Sequence, residues 1–159
     1  MALGTSKPES SAPWILSRAD GLAAHLQDVL LLLGRVLLGW IFVQSGWRKL
    51  MDIPGFVATL PRRGLPDLLG YIAPPVEFFG GVLILLGLAT RYTALLILLF
   101  TIVATLSSHR YWDFTDAAQR QQQHTHFWKN VSMMGGQVLL FVIGAGRYSL
   151  DRLLMRQRG

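Results

Sequence analysis

The sequence predicts an all-α integral membrane protein that folds as an antiparallel bundle of four transmembrane helices. Of its 159 residues, 52% are hydrophobic and only 15% are charged. An ordinary soluble domain carries about a quarter charged residues. The apolar residues fall into four blocks, and each block has about the 20 residues that a helix needs to cross a bilayer core. The four blocks lie at 29–47, 68–88, 92–108 and 128–146.

A soluble helical domain is the alternative, because the buried helices of a compact all-α protein are also apolar on every side. The third block argues against it. Residues 93–106 contain no charged side chain, and threonine is their only polar residue type. A helix of this composition has no polar face toward water, so the membrane interpretation is favoured.

The residues before the first block are predicted to lie outside the bundle. Residues 1–12 are rich in serine and proline and lack the apolar stretch of a signal peptide, which indicates a disordered tail. A capping-box pattern then predicts a helix that begins near Arg18 and leads through the interface as far as residue 27. The bundle is assigned to 28–151, and 152–159 form a basic C-terminal tail.

The long connection between the first two spans, residues 50–65, is predicted to lie in the membrane interface. Pro54 and Pro61 bracket a short apolar stretch there, and two arginines follow it. Such a mixture of apolar and basic side chains is typical of a segment at the level of the lipid head groups.

The net charge of +6 suggests an anionic partner. Nucleic acid is not expected, because the basic residues lie at the ends of the spans and not along one face. The head groups of the lipid bilayer are the simpler partner. The basic residues divide almost evenly between the two sides of the membrane, but their concentration at 147–158 favours cytoplasmic N- and C-termini.

The chain contains no cysteine. This excludes a disulfide, a thiolate nucleophile, an iron–sulfur cluster held by this chain and a dithiol relay. If the protein takes part in redox chemistry, its electrons must arrive through a bound cofactor or a partner protein.

Two charged residues interrupt the first two spans. A charge near the bilayer centre costs about 2.5–3.5 kcal/mol on insertion scales, so Arg35 and Glu77 each need a partner or a polar cavity. We predict that they pair directly or through water, either as a structural ion pair or as part of a site. Glu77 shares one helix face with Gly80, Gly81 and Ile84, and small residues allow close helix packing, so this carboxylate is predicted to face the bundle interior.

A second polar cluster surrounds the third connection. His109 closes the third span and Lys129 opens the fourth, so the two side chains are predicted to share a membrane depth. Asn130 either lines the same interior or bonds two helices together. A metal site is not expected, because the spacing of the histidines here is generic. The sequence thus predicts one polar cavity around Glu77, Arg35, His109 and Lys129, with Trp112 and Phe127 at its mouth.

Several motifs in combination resemble the DoxX family of small four-span membrane proteins. They are an arginine in the first span, Glu-x-x-Gly-Gly from Glu77, His109 followed by Lys129-Asn130, and the closing Ser-Leu-Asp at 149–151. The resemblance covers about 28–151. It implies a bacterial inner membrane protein related to the membrane subunit of a thiosulfate:quinone oxidoreductase, with a redox or peripheral protein as its partner.

Two classes of function remain open. In the first, the chain is the membrane subunit of a quinone-linked oxidoreductase. Glu77 and His109 would then transfer protons, and Arg35, Lys129, Asn130 and Trp112 would bind the quinone head group. In the second, it is a non-catalytic scaffold or small-molecule carrier that docks partner proteins, and transport by four spans would require a homo-oligomer. No motif for flavin, haem or metal is present, so no intrinsic cofactor is expected and a quinone is the candidate ligand.

Overall fold

The computed structural model describes residues 14–157, with side chains from residue 18 onward, and within that range it contains six α-helices and no β-strand. The tail predicted at 1–12 lies outside the described residues. Short 3₁₀ turns at Pro61–Arg63 and Tyr111–Asp113 lie in two of the connections. The helices are α1 (Trp14–Leu50), α2 (Ile53–Val57), α3 (Leu68–Leu86), α4 (Thr90–Ser108), α5 (Ala117–Ile143) and α6 (Leu150–Arg156).

Three segments of the described chain are long and apolar enough to cross a membrane. They are Arg18–Leu50, Leu68–Leu86 and Thr90–Asp113, which correspond to α1, α3 and α4 with the turn that follows it. The helix α5 has 27 residues, but its first part is rich in glutamine and histidine. Length and composition therefore identify three of the four predicted spans.

Helix α1 is longer than the sequence predicts at both ends. It begins at Trp14 and not near Arg18, and it continues to Leu50, beyond the predicted end of the first span at residue 47. Its last turn therefore carries Lys49 as a helical residue. The connection that follows folds into α2 and a 3₁₀ turn, and Asp52 caps α2 by accepting a hydrogen bond from the Gly55 N–H at 2.9 Å.

Helices α1 and α3 pack against each other antiparallel through glycines. Gly39 lies against Gly81, and Gly46, two turns further along α1, lies against the backbone of Phe78. A Cβ added at Gly46 would lie 2.5 Å from the Phe78 nitrogen. Only hydrogen fits there, so the two backbones approach as closely as small residues permit in membrane helices.

Helix α3 runs through the Pro74-Pro75 pair. The helix begins at Leu68, so both prolines lie inside it and neither marks its start. The helix ends at Gly87, whose φ of 64° is the left-handed conformation that glycine adopts without strain. The interior face of α3 carries Glu77 and Ile84, and both are buried as predicted.

A ladder of polar side chains joins α4 to α5. The Asn130 amide nitrogen donates to the Thr105 hydroxyl at 2.9 Å, and the Gln137 amide nitrogen donates to the Thr101 hydroxyl at 3.1 Å. Each threonine hydroxyl also donates to a backbone carbonyl of its own helix, that of Thr101 to Ile97 at 2.6 Å. All four side chains are buried, so the ladder satisfies polar groups that neither lipid nor water reaches.

The C-terminal segment folds back onto the turn between α3 and α4. The Asp151 carboxylate accepts hydrogen bonds from the backbone N–H groups of Ala89 and Thr90, at 2.6 and 2.9 Å, where α4 begins. The Asp151 N–H in turn donates to the Gly87 carbonyl at 2.9 Å. A carboxylate at this position satisfies orphan donors and lies at the positive end of the helix dipole.

Candidate functional site

The interior carboxylate of α3 forms an ion pair with a lysine from the end of α1. The Lys49 ammonium donates to the carboxylate of Glu77, whose side chain is only 7% exposed, whereas that of Lys49 is 26% exposed. The antiparallel packing of α1 on α3 brings these two positions to the same level. Glu77 therefore has a cation at its own end of the bundle.

A cavity of about 100 Å³ adjoins this ion pair. His109, Lys129 and Asn130 all line it, although they come from the end of α4 and from α5. The cavity thus brings together one carboxylate, two lysines, an imidazole and an amide, which are groups that donate, accept and transfer protons. The remaining lining residues are Ile41, Phe42, Ser45, Phe100, Thr101, Ala104 and Met133.

The imidazole of His109 is oriented by a neighbour on α5. Its Nδ1 lies 2.8 Å from the side-chain oxygen Oε1 of Gln123, and its ring lies 5.3 Å, centre to centre, from that of His126. Because an amide oxygen only accepts, this contact assigns the proton to Nδ1. The Nε2 atom is then the acceptor of the neutral ring.

Asn130 combines the two alternatives that the sequence left open. It donates to Thr105 in the ladder between α4 and α5, and it also lines the cavity. This hydrogen bond holds the Asn130 side chain at the cavity that Glu77 and Lys129 also line.

A larger pocket of about 600 Å³ shares part of its lining with the cavity. The shared residues are Ser45, Lys49, Phe100, Ala104, His109 and Lys129. The pocket has a polar end, to which Arg48, Arg63, Ser107, Ser108 and His126 also belong, and an apolar part along α3 and α4. Its apolar lining includes Ile72, Leu96, Leu99 and Val103, which are exposed on the surface of the bundle.

The connection between α1 and α3 covers the polar end of this pocket. Arg63 donates to the Ser108 hydroxyl at 3.1 Å and lies over the ring of Phe56, 6.0 Å from its centre. Lys49 lies over the same ring at 5.3 Å. Desolvation by burial lowers the pKa of the Arg63 guanidinium, which still carries its charge at neutral pH because arginine does not deprotonate in proteins. The polar end of the pocket therefore carries a group of positively charged side chains.

Arg35 does not belong to this site, so its predicted pairing with Glu77 and its place in a single cavity are wrong. It precedes Lys49 by 14 positions on α1, which corresponds to roughly 21 Å along the helix axis. Arg35 donates instead to the carbonyl oxygen of Tyr148 and packs against Gly87, which follows the last residue of α3 and lies roughly 15 Å along the axis from Glu77. The C-terminal segment supplies this partner, and it is 113 residues away in sequence.

The predicted aromatic mouth is also misplaced. Trp112 is 50% exposed and packs edge-on against Tyr111 and Phe127, at 5.0 and 5.9 Å between ring centres. None of these rings lines the cavity or the larger pocket. The aromatic residues that do line the pocket are Phe56 and Phe100.

Lys49 is not predicted from the sequence, because it lies beyond the first apolar block, which ends at residue 47. One signal could have identified it. Phe42, Ser45 and Lys49 recur at intervals of three and four residues, the spacing of one helix face, if the helix continues past residue 47. All three residues line the cavity.

A metal centre finds no support in the part of the chain that is described. Across residues 14–157 no group of three or more histidine, aspartate or glutamate side chains is placed to hold a metal ion. His109 instead bonds to an amide, and Glu77 to an ammonium group. The site is thus a hydrogen-bonding and ion-pairing site.

Comparison with known proteins gives matches over most of the chain. The family model described as DoxX matches residues 30–110, and that of the SURF4 family matches residues 75–156. No solved structure matches.

Three curated relatives are similar in sequence. "Inner membrane protein YphA" of Escherichia coli strain K12 is 38% identical over 128 residues, which cover 79% of this chain and 91% of the relative. "Inner membrane protein YqjF" of the same organism is 33% identical over 132 residues, covering 83% and 97%. "Putative oxidoreductase CatD" of Bacillus subtilis strain 168 is 37% identical over 76 residues, covering 48% of this chain and 57% of the relative.

Proposed function

The chain belongs to the DoxX family of membrane proteins, and we propose that it is the integral membrane subunit of a quinone-linked oxidoreductase assembly in the bacterial inner membrane. The observation that carries the proposal is a small polar cavity, built around Glu77 and Lys49, that shares lining residues with a larger pocket whose apolar part runs along α3 and α4. A polar head joined to a long apolar tail is the ligand that fits such a pair of spaces. The relative named as an oxidoreductase supports the same class of function.

The proposal includes a bundle of four antiparallel spans. Helix α5 supplies the fourth span from Trp128 to Ile143, which is roughly 24 Å of apolar helix. The polar side chains at 117–127 then extend beyond the hydrocarbon. The ladder to α4 supports this arrangement, because Asn130 and Gln137 are buried amides that have their partners within the bundle.

In this arrangement the quinone head group lies where the cavity and the pocket meet. His109 and Lys129 line both spaces. The Lys129 ammonium is placed to donate to a carbonyl oxygen of the head group, and the Nε2 atom of His109 is placed to accept from a hydroxyl group of the quinol. Asn130 provides a further donor at the inner end. The isoprenoid tail follows the apolar surface of α3 and α4, where exposed leucines of α4 face the lipid. The ligand thus enters from the bilayer and not from water.

Reduction of a quinone to a quinol takes up two electrons and two protons. The chain has no cysteine and no motif for an electron-carrying cofactor, so a partner oxidoreductase supplies the electrons. The two protons come from water, and the chain's own residues relay them. His109 and Glu77 are the exchangeable groups beside the head group, and the Lys49 ammonium links Glu77 to the more exposed rim of the pocket.

The test is binding of ubiquinone and menaquinone to the full-length protein, purified in mild detergent. We expect one of them to co-purify, as seen by mass spectrometry of the extracted lipids. Lys129→Gln is expected to weaken its binding by roughly 10- to 150-fold, because a hydrogen bond to a charged group contributes about 1.5–3 kcal/mol. His109→Gln tests the contact made by the imidazole in the same way.

His124→Gln is the matched control, because His124 lies on α5 outside both spaces and bonds to Trp128. Its quinone content should equal that of the unaltered protein. Absence of any quinone from the unaltered protein, together with no binding of added quinone, would refute the proposal. A stable complex with a partner that has no redox centre would favour the scaffold interpretation.

Both termini are assigned to the cytoplasm, which follows from an even number of spans and from the arginines that come after α5. A C-terminal fusion to a reporter that is active only in the cytoplasm tests this orientation. A fusion that is active only in the periplasm would reverse it, and the site would then open toward the other leaflet.

A further inference from the structure

A second groove, of about 860 Å³, lies at the end of the bundle opposite Glu77. It is formed by α1, the end of α3 and the C-terminal segment with α6. Four arginines line it, namely Arg35, Arg147, Arg152 and Arg156, and no acidic side chain does. The other lining side chains are mainly leucines of α1, α3 and α6.

Arg35 is the unusual member of this group. It is only 1% exposed, and two of its nitrogens, Nε and Nη1, have no hydrogen-bond partner. Its remaining nitrogen donates to the Tyr148 carbonyl, which carries no formal charge. A buried cation with unused donors, in a bundle that lipid surrounds, requires an anion nearby.

The nearest acidic group compensates only part of this charge. Asp151 attracts Arg35 electrostatically, but both of its carboxylate oxygens accept hydrogen bonds from the backbone at the start of α4. Asp28, a second acidic residue at this end, accepts from the Arg147 N–H. Neither carboxylate lines the groove, so the electrostatic potential inside the groove remains positive.

We propose that this groove binds the phosphate head group of an anionic glycerophospholipid. Guanidinium groups match the geometry of phosphate oxygens, and basic pockets between transmembrane helices are suited to such head groups. The leucines define the other half of the ligand. Leu32, Leu85 and Leu86 lie beside Arg35 on α1 and α3, so they offer an apolar surface on which acyl chains continue from the phosphate. A lipid therefore fits the groove better than a free phosphate ion does.

The experiment compares three probes on the full-length protein in phosphatidylcholine nanodiscs: phosphatidylglycerol, additional phosphatidylcholine and inorganic phosphate. Phosphatidylglycerol alone is expected to raise the unfolding temperature and to remain bound in native mass spectrometry. Arg152→Gln combined with Arg156→Gln should weaken its binding about 25-fold. This follows from about 1 kcal/mol, or roughly fivefold, for each basic residue near a lipid surface. Both arginines are exposed, so folding should not depend on them.

The control is the double variant Arg62→Gln and Arg120→Gln, which removes the same charge from exposed positions at the other end of the bundle. It should bind phosphatidylglycerol like the unaltered protein. Equal weakening by both double variants, or equal binding of phosphatidylcholine, would overturn the proposal. Stabilisation by inorganic phosphate equal to that by phosphatidylglycerol would assign the groove to a free anion and overturn its assignment to lipid. If the Arg152/Arg156 variant is unstable, Arg147→Gln repeats the test with an expected loss of about fivefold.

Discussion

The ion pair between Glu77 and Lys49 makes a quantitative prediction. Glu77→Gln removes the negative charge from a side chain that is 7% exposed and leaves the Lys49 ammonium without its partner. Breaking a buried pair in this way costs about 3–5 kcal/mol in soluble proteins. The loss is expected to be smaller here, about 1–2 kcal/mol, because Lys49 is 26% exposed and its long side chain can turn toward the head groups.

The measurement is a double-mutant cycle on thermal unfolding in detergent. A loss of about 1–2 kcal/mol corresponds to a decrease of roughly 2–8 °C for a chain of this size. Glu77→Gln and Lys49→Gln together should be less destabilising than the sum of the single variants, by at least about 0.5 kcal/mol, since the two side chains are in contact. The coupling energy from this cycle distinguishes a direct contact between the two side chains from a general effect of losing charge.

Arg35→Gln provides the control for this cycle. Glu77 lies at the middle of α3, whereas Arg35 packs against Gly87, roughly 15 Å further along the helix axis. The effects of Arg35→Gln and Glu77→Gln should therefore add within about 0.5 kcal/mol. A coupling energy between Glu77 and Arg35 that equals or exceeds the one between Glu77 and Lys49 would refute the assignment of the partner. Such a result would support the pairing of Arg35 with Glu77 that the sequence predicts.

Three further predictions concern the scaffold. Gly46→Ala should destabilise the protein by about 1–3 kcal/mol in thermal unfolding, because its Cβ would lie 2.5 Å from backbone atoms of α3, whereas Gly135→Ala, with nothing within 4 Å, should not. Asp151→Ala should cost about 1–2 kcal/mol by removing the cap of α4, and a loss below about 0.3 kcal/mol would contradict that role. Arg63→Gln should increase proteolysis of the connection between α1 and α3 severalfold by removing the hydrogen bond to the end of α4, and Arg62→Gln, at an exposed neighbour, should not.

The inward direction of Glu77 could be read from the sequence, because it depends only on the period of one helix. The glycines that share its face mark the side on which another backbone approaches. The sequence predicts His109 at the end of the third span and Lys129 at the start of the fourth, and both line the cavity, although α5 begins at Ala117, well before Lys129. These are local relations, and local relations are what a helical pattern encodes.

The partners of the charged residues could not be read in the same way. The true partner of Glu77 depends on where α1 ends, and the apolar block at 29–47 stops before Lys49, although the helix does not. The partner of Arg35 is a backbone carbonyl of the C-terminal segment, 113 residues away. Neither helical periodicity nor hydropathy carries information about a contact of that kind.

The ladder between α4 and α5 constrains the order in which its residues can be replaced over evolutionary time. If Gln137 is lost first, the Thr101 hydroxyl keeps its hydrogen bond to the Ile97 carbonyl, and no polar group is stranded. If Thr101 is lost first, the amide nitrogen of the fully buried Gln137 loses its partner, while its oxygen has none already. The first route passes through a stable intermediate and the second through a costly one. Descendant lineages should therefore contain chains with the threonine and an apolar residue in place of the glutamine, and very few with the reverse combination.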